Sequence, residues 1–191
     1  MSTYDLIVIG TGPGGYVCAI RAAQLGMKVA CVERDRLGGV CLNWGCIPSK
    51  AMIYAASMYE KIQGADKMGI LVDNARVDMN ILQVWKTSIV KKLTGGIGVL
   101  LKSHGVEVIT GTATFTGPNT LSVATETGTQ TVEGKQFLIG TGSSPIVLKA
   151  SSSSRIFIVP NSAAKADPDL PARTMAVIRG PSSRRTASPI R

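Results

Sequence analysis

The feature that most limits how this chain can fold is Tyr4-Asp5-Leu6-Ile7-Val8-Ile9 running straight into Gly10-Thr11-Gly12-Pro13-Gly14-Gly15. The short β-branched apolar run reads as a strand buried on both faces. After the glycines, Val17, Ile20, Ala23 and Leu25 follow at near-helical spacing, Gly26 stands where a helix stops, and Lys28–Val32 reads as a second strand. Strand, glycine turn, helix and strand in this order open a dinucleotide-binding α/β unit.

Each glycine of the G-x-G-x-x-G pattern has a mechanical reason. Gly10 permits the tight turn, Gly12 lets backbone approach a pyrophosphate, and Gly15 lets helix and strand pack closely. The helix N-terminus, entered through Pro13 and Gly14, offers free N–H groups and partial positive charge to phosphates. Glu33, 18 residues after Gly15 and followed by Arg34, closes the second strand. A carboxylate there can accept from ribose hydroxyls and repels a 2′-phosphate. A merely glycine-rich turn would leave Glu33 unexplained. The cradle by itself serves FAD and NAD alike.

Cys41 and Cys46 are spaced C-x4-C within Gly38-Gly39-Val40-Cys41-Leu42-Asn43-Trp44-Gly45-Cys46-Ile47-Pro48-Ser49-Lys50. In an ideal helix, residues five apart are separated by about 8–9 Å between Cα atoms, whereas a disulfide needs Cα atoms within about 7 Å. The pair can therefore bond only across irregular chain, which Gly45 would relax. Pro48 suits the first turn of a following helix, with Ser49–Ile62 continuing it. Cys46 then falls just ahead of a helix N-terminus, a setting that favours a thiolate, and Lys50 stands one turn on. Zinc is the competing use of such a pair, but one histidine and two other cysteines make a poor ligand set. Two inert buried thiols are the other alternative, and they leave the Gly-Gly and Gly-x-Ile-Pro punctuation without a purpose. Cys18 and Cys31, in apolar helix and strand contexts, read as core thiols.

The stretch from Gly38 to Lys50 resembles the signature of the flavoprotein disulfide reductase family, and Leu42-Asn43-Trp44-Gly45 is most similar to its dihydrolipoamide dehydrogenase branch. The resemblance implies a redox-active Cys41–Cys46 disulfide, with Cys46 the sulfur nearest a bound FAD and Cys41 the interchange thiol. It implies that Lys50 sits by the flavin ring, that Gly39 and Val40 belong to the cofactor site, and that the Thr141-Gly142-Ser143 backbone lies against the FAD pyrophosphate. Ala113, in Gly111-Thr112-Ala113, matches a contact at the adenine end. Gly140 stands where the family usually has alanine.

Between these segments, Asp66–Asp78 reads as irregular chain. Leu82, Trp85, Ile89, Leu93, Ile97 and Leu100 mark an amphipathic helix with Trp85 in its core-facing stripe. Gly95 and Gly96 would bend that helix or admit a close neighbour. His104, the one histidine, lies at its end, compensating the dipole or simply exposed. From Val106 the period becomes two, predicting strands at Val106–Ile109, Thr112–Phe115, Thr120–Ala124, Thr129–Val132 and a buried strand from Gln136 to Ser143 that returns beside the first. The fold class expected is α/β: a Rossmann-like FAD-binding domain of parallel sheet, helices and β-meander, incomplete relative to the family.

The net charge of +9 points to nucleic acid or a membrane surface. Residues 1–150 carry 14 basic against 10 acidic side chains and residues 151–191 carry 7 against 2, so most of the excess is terminal. No aromatics interleave with those arginines, which leaves base stacking without support. No segment has the roughly 18 apolar residues of a membrane span, and Leu6–Ile9 is too short for a signal peptide. The expectation is a cytoplasmic protein that binds neither nucleic acid nor membrane and holds no metal.

The family pattern runs through residue 148. Residues 149–191 read as a degenerate tail, expected to be disordered, in place of an NAD-binding domain. Met175–Ile178 resembles the approach to a second dinucleotide fingerprint, but Arg179-Gly180-Pro181-Ser182-Ser183-Arg184-Arg185-Thr186 follows instead of a glycine-rich loop. The expected product is thus a truncated or frameshifted chain. By resemblance, the intact enzyme passes electrons from dihydrolipoyl domains of 2-oxo acid dehydrogenase complexes through Cys41–Cys46 and FAD to NAD, as a homodimer whose interface domain is missing here. The alternatives are the FAD half of a glutathione- or mercuric-type reductase, or an inactive remnant.

Overall fold

The computed structural model describes residues 2–143 and the backbone of residues 176–179. The opening unit forms as its sequence dictates. Strand β1 (Ser2–Ile9) leads through the glycine turn into helix α1 (Pro13–Gln24) and strand β2 (Val29–Glu33). The two strands pair in parallel, with Leu6 opposite Val29 and Ile9 opposite Val32. Pro13 takes the first helical position, where its missing N–H leaves no bond unmade.

Next come α2 (Gly39–Asn43), α3 (Cys46–Gln63), a 3-10 turn (Ala65–Met68) and α4 (Met79–Ser103). Asp78 caps α4, its Oδ1 accepting from the Asn80 and Ile81 N–H groups at 2.9 and 3.0 Å, a device typically contributing about 1 kcal/mol. His104 closes that helix, its Nδ1 lying 2.8 Å from the Leu100 carbonyl. Gly95 and Gly96 sit inside the continuous helix, and a Cβ at either would meet nothing within 4 Å. Among the described residues neither meets a close neighbour.

Strands β3 (Glu107–Thr110), β4 (Thr112–Phe115), β5 (Thr120–Thr125) and β6 (Gly128–Ile139) complete one sheet in the order β3-β2-β1-β6-β5-β4. β3, β2, β1 and β6 run parallel, while β4, β5 and the first half of β6 form the antiparallel meander. The sequence predicts two strands, Thr129–Val132 and Gln136–Ser143, but the structure has a single strand that stops at Ile139. Glu133 and Gly134 continue the ladder between the two expected strands, and Gly134 keeps it close to β1. A Cβ there would stand 2.9 Å from Ile7 Cδ1, and its N–H donates to the Asn119 carbonyl at 3.0 Å. Four residues of the expected disordered tail form β7 (Ala176–Arg179), antiparallel to β6 with Ile139 opposite Ala176. Residues 151–154, which read as a linker, and the rest of the basic tail lie outside the described residues.

Alternation divides the core. Leu6, Val8, Val29 and Cys31 face the helices and meet Ala19, Ala22, Leu42, Ile97 and Leu101. Ile7, Ala30 and Val32 face the other way and are covered by Leu121, Val123 and Val132 of the meander. Trp85 departs from expectation: it is 38% exposed, its ring 6.3 Å from that of Tyr54 on α3, rather than in the core. Burial on α4 is confined to its second half, at Ile97 and Leu101.

Candidate functional site

Because β3, β2, β1 and β6 run the same way, their carboxyl ends share one edge of the sheet. Gly10–Gly15 follows β1, Glu33 and Arg34 stand at the end of β2, Gly111–Ala113 follows β3, and Gly140–Ser143 follows β6. β1 lies between β2, which it reaches through α1, and the late strand β6. In open α/β sheets the crevice at such a switch of strand order is where ligands bind. The sequence-predicted residues therefore converge on one place.

The loop glycines divide into two kinds. Gly10 has φ +94°, and a Cβ on it would run into the Gly140 carbonyl, with its carbon at 2.8 Å. A Cβ on Gly15 would strike the Gly10 carbonyl group. Both are required by the protein's own packing. Gly12 is different: its φ is −63° and a Cβ would meet nothing within 4 Å. Nothing inside the described chain demands glycine there, and the open space beside it borders the N-terminus of α1. That helix has no side-chain cap and no acidic residue in its first turn, so its N–H groups remain available to an anion. Thr141, Gly142 and Ser143 are exposed, Gly142 at φ +72°, and Thr141 Cα would lie 3.1 Å from a Cβ on Gly10.

Glu33 is engaged by the protein itself. Its Oε2 accepts from both the N–H and the hydroxyl of Thr11, at 2.8 and 2.7 Å, and its Oε1 accepts from Asp35 N–H at 3.0 Å. Gly111 N–H donates to the Glu33 carbonyl at 2.8 Å, bringing the start of β4 and half-buried Ala113 to this end of β2. Arg34 is exposed.

Cys41 and Cys46 form a disulfide with Cα atoms 4.7 Å apart. The break that this demands lies at Trp44 and Gly45. Cys41 is in the short helix α2 and Cys46 is the first residue of α3, rather than just ahead of it. A Cβ on Gly45 would come 3.2 Å from the Val40 carbonyl oxygen, so glycine lets the two helices fold back on each other. Helix α3, with Gly45 as its cap residue, has no side-chain cap and no carboxylate in its first turn. Its partial positive charge therefore acts directly on Cys46 Sγ. Cys46 is exposed and Cys41 half-buried; Lys50, a turn into α3, is exposed, as is Val40 on α2. The Arg36 guanidinium lies over the Trp44 ring at 5.7 Å.

Gly38 and Asn43, which sequence reasoning passed over, join the two halves of the site together with Gly39. Gly38, at φ +92°, donates its N–H to the Thr11 carbonyl at 3.0 Å. Half-buried Gly39 lies against Gly12, where a Cβ would stand 2.8 Å from Gly12 Cα. Asn43 Nδ2 donates to the Leu37 and Gly39 carbonyls, each at 3.0 Å. Cys31 is buried, which pushes its thiol up to about 12, and half-buried Cys18 is raised for the same reason. Among the described residues no cluster of three His, Cys, Asp or Glu side chains could hold a metal, and no helix is long and apolar enough to cross a membrane.

A glycine loop after the first strand, hydrogen-bonded to the turn that carries a partly exposed disulfide, defines a redox protein of the dinucleotide fold. The family described as pyridine nucleotide-disulphide oxidoreductase matches residues 4–178, and the chain belongs to it. The chain is 54% identical to the dihydrolipoyl dehydrogenase of Bacillus subtilis (strain 168) over 144 residues, which are 75% of this chain and 31% of that protein. It is 50% identical over 149 residues to the dihydrolipoyl dehydrogenase of Thermus scotoductus, again 31% of the relative. Among solved structures, the Cu(II) complex of the HOCl-induced flavoprotein disulfide reductase RclA from Escherichia coli aligns with TM-score 0.66 and 26% identity, over 78% of this chain and 31% of that one. The chain spans about a third of the length of the relatives it matches.

Proposed function

We propose that the carboxyl edge of the sheet holds FAD, and that Cys41–Cys46 passes electrons between a dithiol and that cofactor. Gly10–Gly15 and Thr141–Ser143 would border the pyrophosphate, Glu33 the ribose, Ala113 the adenine end, and Lys50 with Gly39 and Val40 the flavin end. In a chain of the relatives' length the activity is that of a dihydrolipoyl dehydrogenase, with NAD as final acceptor and lipoyl groups of 2-oxo acid dehydrogenase complexes as substrate, in a homodimeric cytoplasmic protein. Residues 1–148 form its FAD-binding part, and residues 149–191 stand where the NAD-binding domain would begin. The observation that carries this reading is the disulfide at an uncapped helix N-terminus, tied through Gly38 to the glycine loop.

The thiol chemistry follows from the two sulfurs' surroundings. A substrate thiolate attacks Cys41 Sγ, the Cys41–Cys46 bond breaks, and its electron pair leaves on Cys46 Sγ. The better-stabilised thiolate leaves faster, and Cys46 is the sulfur at the N-terminus of α3, with Lys50 adding positive charge. The substrate's second thiol then loses its proton and displaces Cys41, closing the substrate disulfide and leaving Cys41 to take up a proton. Two electrons have moved from substrate to the cysteine pair. FAD, when bound, supplies the two-electron acceptor that restores the disulfide.

The test is to purify the whole chain with excess FAD and to compare it with its Cys41→Ser and Cys46→Ser variants. The expected result is stable flavin binding, and a long-wavelength absorption band in Cys41→Ser that Cys46→Ser lacks. A colourless chain would mean an inactive remnant, and identical spectra from the two variants would overturn the roles of the sulfurs. A reductase running from nicotinamide to a disulfide is the second reading, favoured by the likeness to the E. coli reductase. Dihydrolipoamide oxidation by a chain of full family length would set it aside.

A further inference from the structure

Thr11 stands between two loop glycines, and among the described residues it is the buried polar side chain, with no exposure at all. Buried donors and acceptors must find partners, and those of Thr11 lead to both halves of the site. Its N–H and its hydroxyl both donate to Glu33 Oε2, at 2.8 and 2.7 Å. Its carbonyl accepts from Gly38 N–H at 3.0 Å, in the turn that enters Cys41. Asn43 clamps that turn from the other side through the Leu37 and Gly39 carbonyls. A carboxylate offers about four lone-pair positions. Thr11 takes two on Glu33 and Asp35 N–H takes a third at 3.0 Å, which leaves one on Oε1.

We propose that Thr11 is a positioning residue: its side chain sets Glu33 to receive a single ribose hydroxyl, and the same peptide ties that carboxylate to the turn carrying the disulfide. This rests on the reading that Glu33 faces the ribose of FAD. The Thr11 hydroxyl is fully buried, and its partner is Glu33. Its bond to Oε2 holds the carboxylate in one rotamer with Oε1 presented. Loosening it should weaken ribose recognition and free the Gly38 N–H together.

The experiment compares wild type, Thr11→Val, which keeps the shape, and Thr11→Ser, which keeps the hydroxyl, in the whole chain. FAD binding is followed by flavin fluorescence quenching, and amide hydrogen exchange is followed at Gly38, with Gly134, bonded to the Asn119 carbonyl on the meander, as a remote reference. Thr11→Val should bind FAD about tenfold more weakly, equivalent to about 1.4 kcal/mol, and exchange faster at Gly38 but not at Gly134. Thr11→Ser should restore both. Wild-type behaviour in Thr11→Val would overturn the proposal. So would equal losses in both variants with faster exchange at Gly134, since the role would then be general stability. If wild type itself binds no FAD, the FAD reading falls, and exchange at Gly38 still decides whether the Thr11 side chain holds the turn.

Discussion

Replacing Gly12 and Gly10 separately with alanine should divide two properties that a glycine-rich loop usually confounds. At Gly10 the new Cβ meets the Gly140 carbonyl group, backbone that cannot swing aside, and the residue sits at φ +94°. Holding a side chain there costs about 1–3 kcal/mol of backbone strain, and overpacking adds about 1–3 kcal/mol. A loss of about 2–6 kcal/mol is a large part of the roughly 5–15 kcal/mol that holds a domain together. At Gly12 neither cost arises, because φ is −63° and the Cβ would meet no described residue beyond its chain neighbours within 4 Å. Alanine is a poorer helix cap than glycine, by about 1 kcal/mol. It also restricts the unfolded chain, which returns about 0.4–1 kcal/mol. Gly12→Ala should therefore leave the urea midpoint nearly unchanged. If the pyrophosphate approaches here, however, the methyl group occupies its path, and FAD affinity should fall at least tenfold. Urea unfolding without cofactor and flavin fluorescence titration measure the two effects independently. Equal destabilisation by both substitutions would show that Gly12 is a packing glycine. Unaltered FAD affinity in Gly12→Ala would remove the phosphate from this loop.

Titrating groups supply two more expectations. Asp5 accepts from Lys135 Nζ at 2.7 Å and from Lys28 N–H at 2.8 Å, and these two contacts, the lysine first, hold its carboxyl below the usual 3.8. A lowered carboxyl stabilises the fold above its unfolded value and loses that contribution as pH falls through the folded one. The fall in urea midpoint below about pH 4 should thus be shallower in Asp5→Asn than in wild type, and parallel curves would refute the assignment. Cys31 is the opposite case: burial, then Cys18 and Glu33, raise its thiol from 9.0 to about 12. Stability is complete below pH 9 and declines as pH rises towards 12, so Cys31→Ala should show the smaller drop between pH 8 and 10.5. In native wild type at pH 8, iodoacetamide should label Cys18 ahead of Cys31, and equal rates would contradict the burial.

What the sequence made legible, and what it hid, follows from the range over which each signal acts. The β1–α1–β2 unit was readable because its determinants are local: an apolar run, a glycine turn, and an acid at the end of the next strand. The break between Cys41 and Cys46 was readable too, since disulfide geometry and helix geometry conflict and Gly45 stands between them. Strand β6 is continuous where the sequence predicts two strands, because Gly134 is small for the sake of Ile7 in another strand. Trp85 was misplaced for a related reason. Periodicity reveals that a helix has an apolar stripe, not what lies against each part of it, and α4 buries only the second half of its stripe. Thr11 was the hardest to see. Its neighbours in sequence are glycines that claim the motif, while its partners, Glu33 and Gly38, are joined to it by the fold. A polar side chain at the variable position of a loop expected to be buried is nevertheless a usable signal. A hydroxyl there must have an acceptor, and the carboxylate closing the adjacent strand is the acceptor within reach.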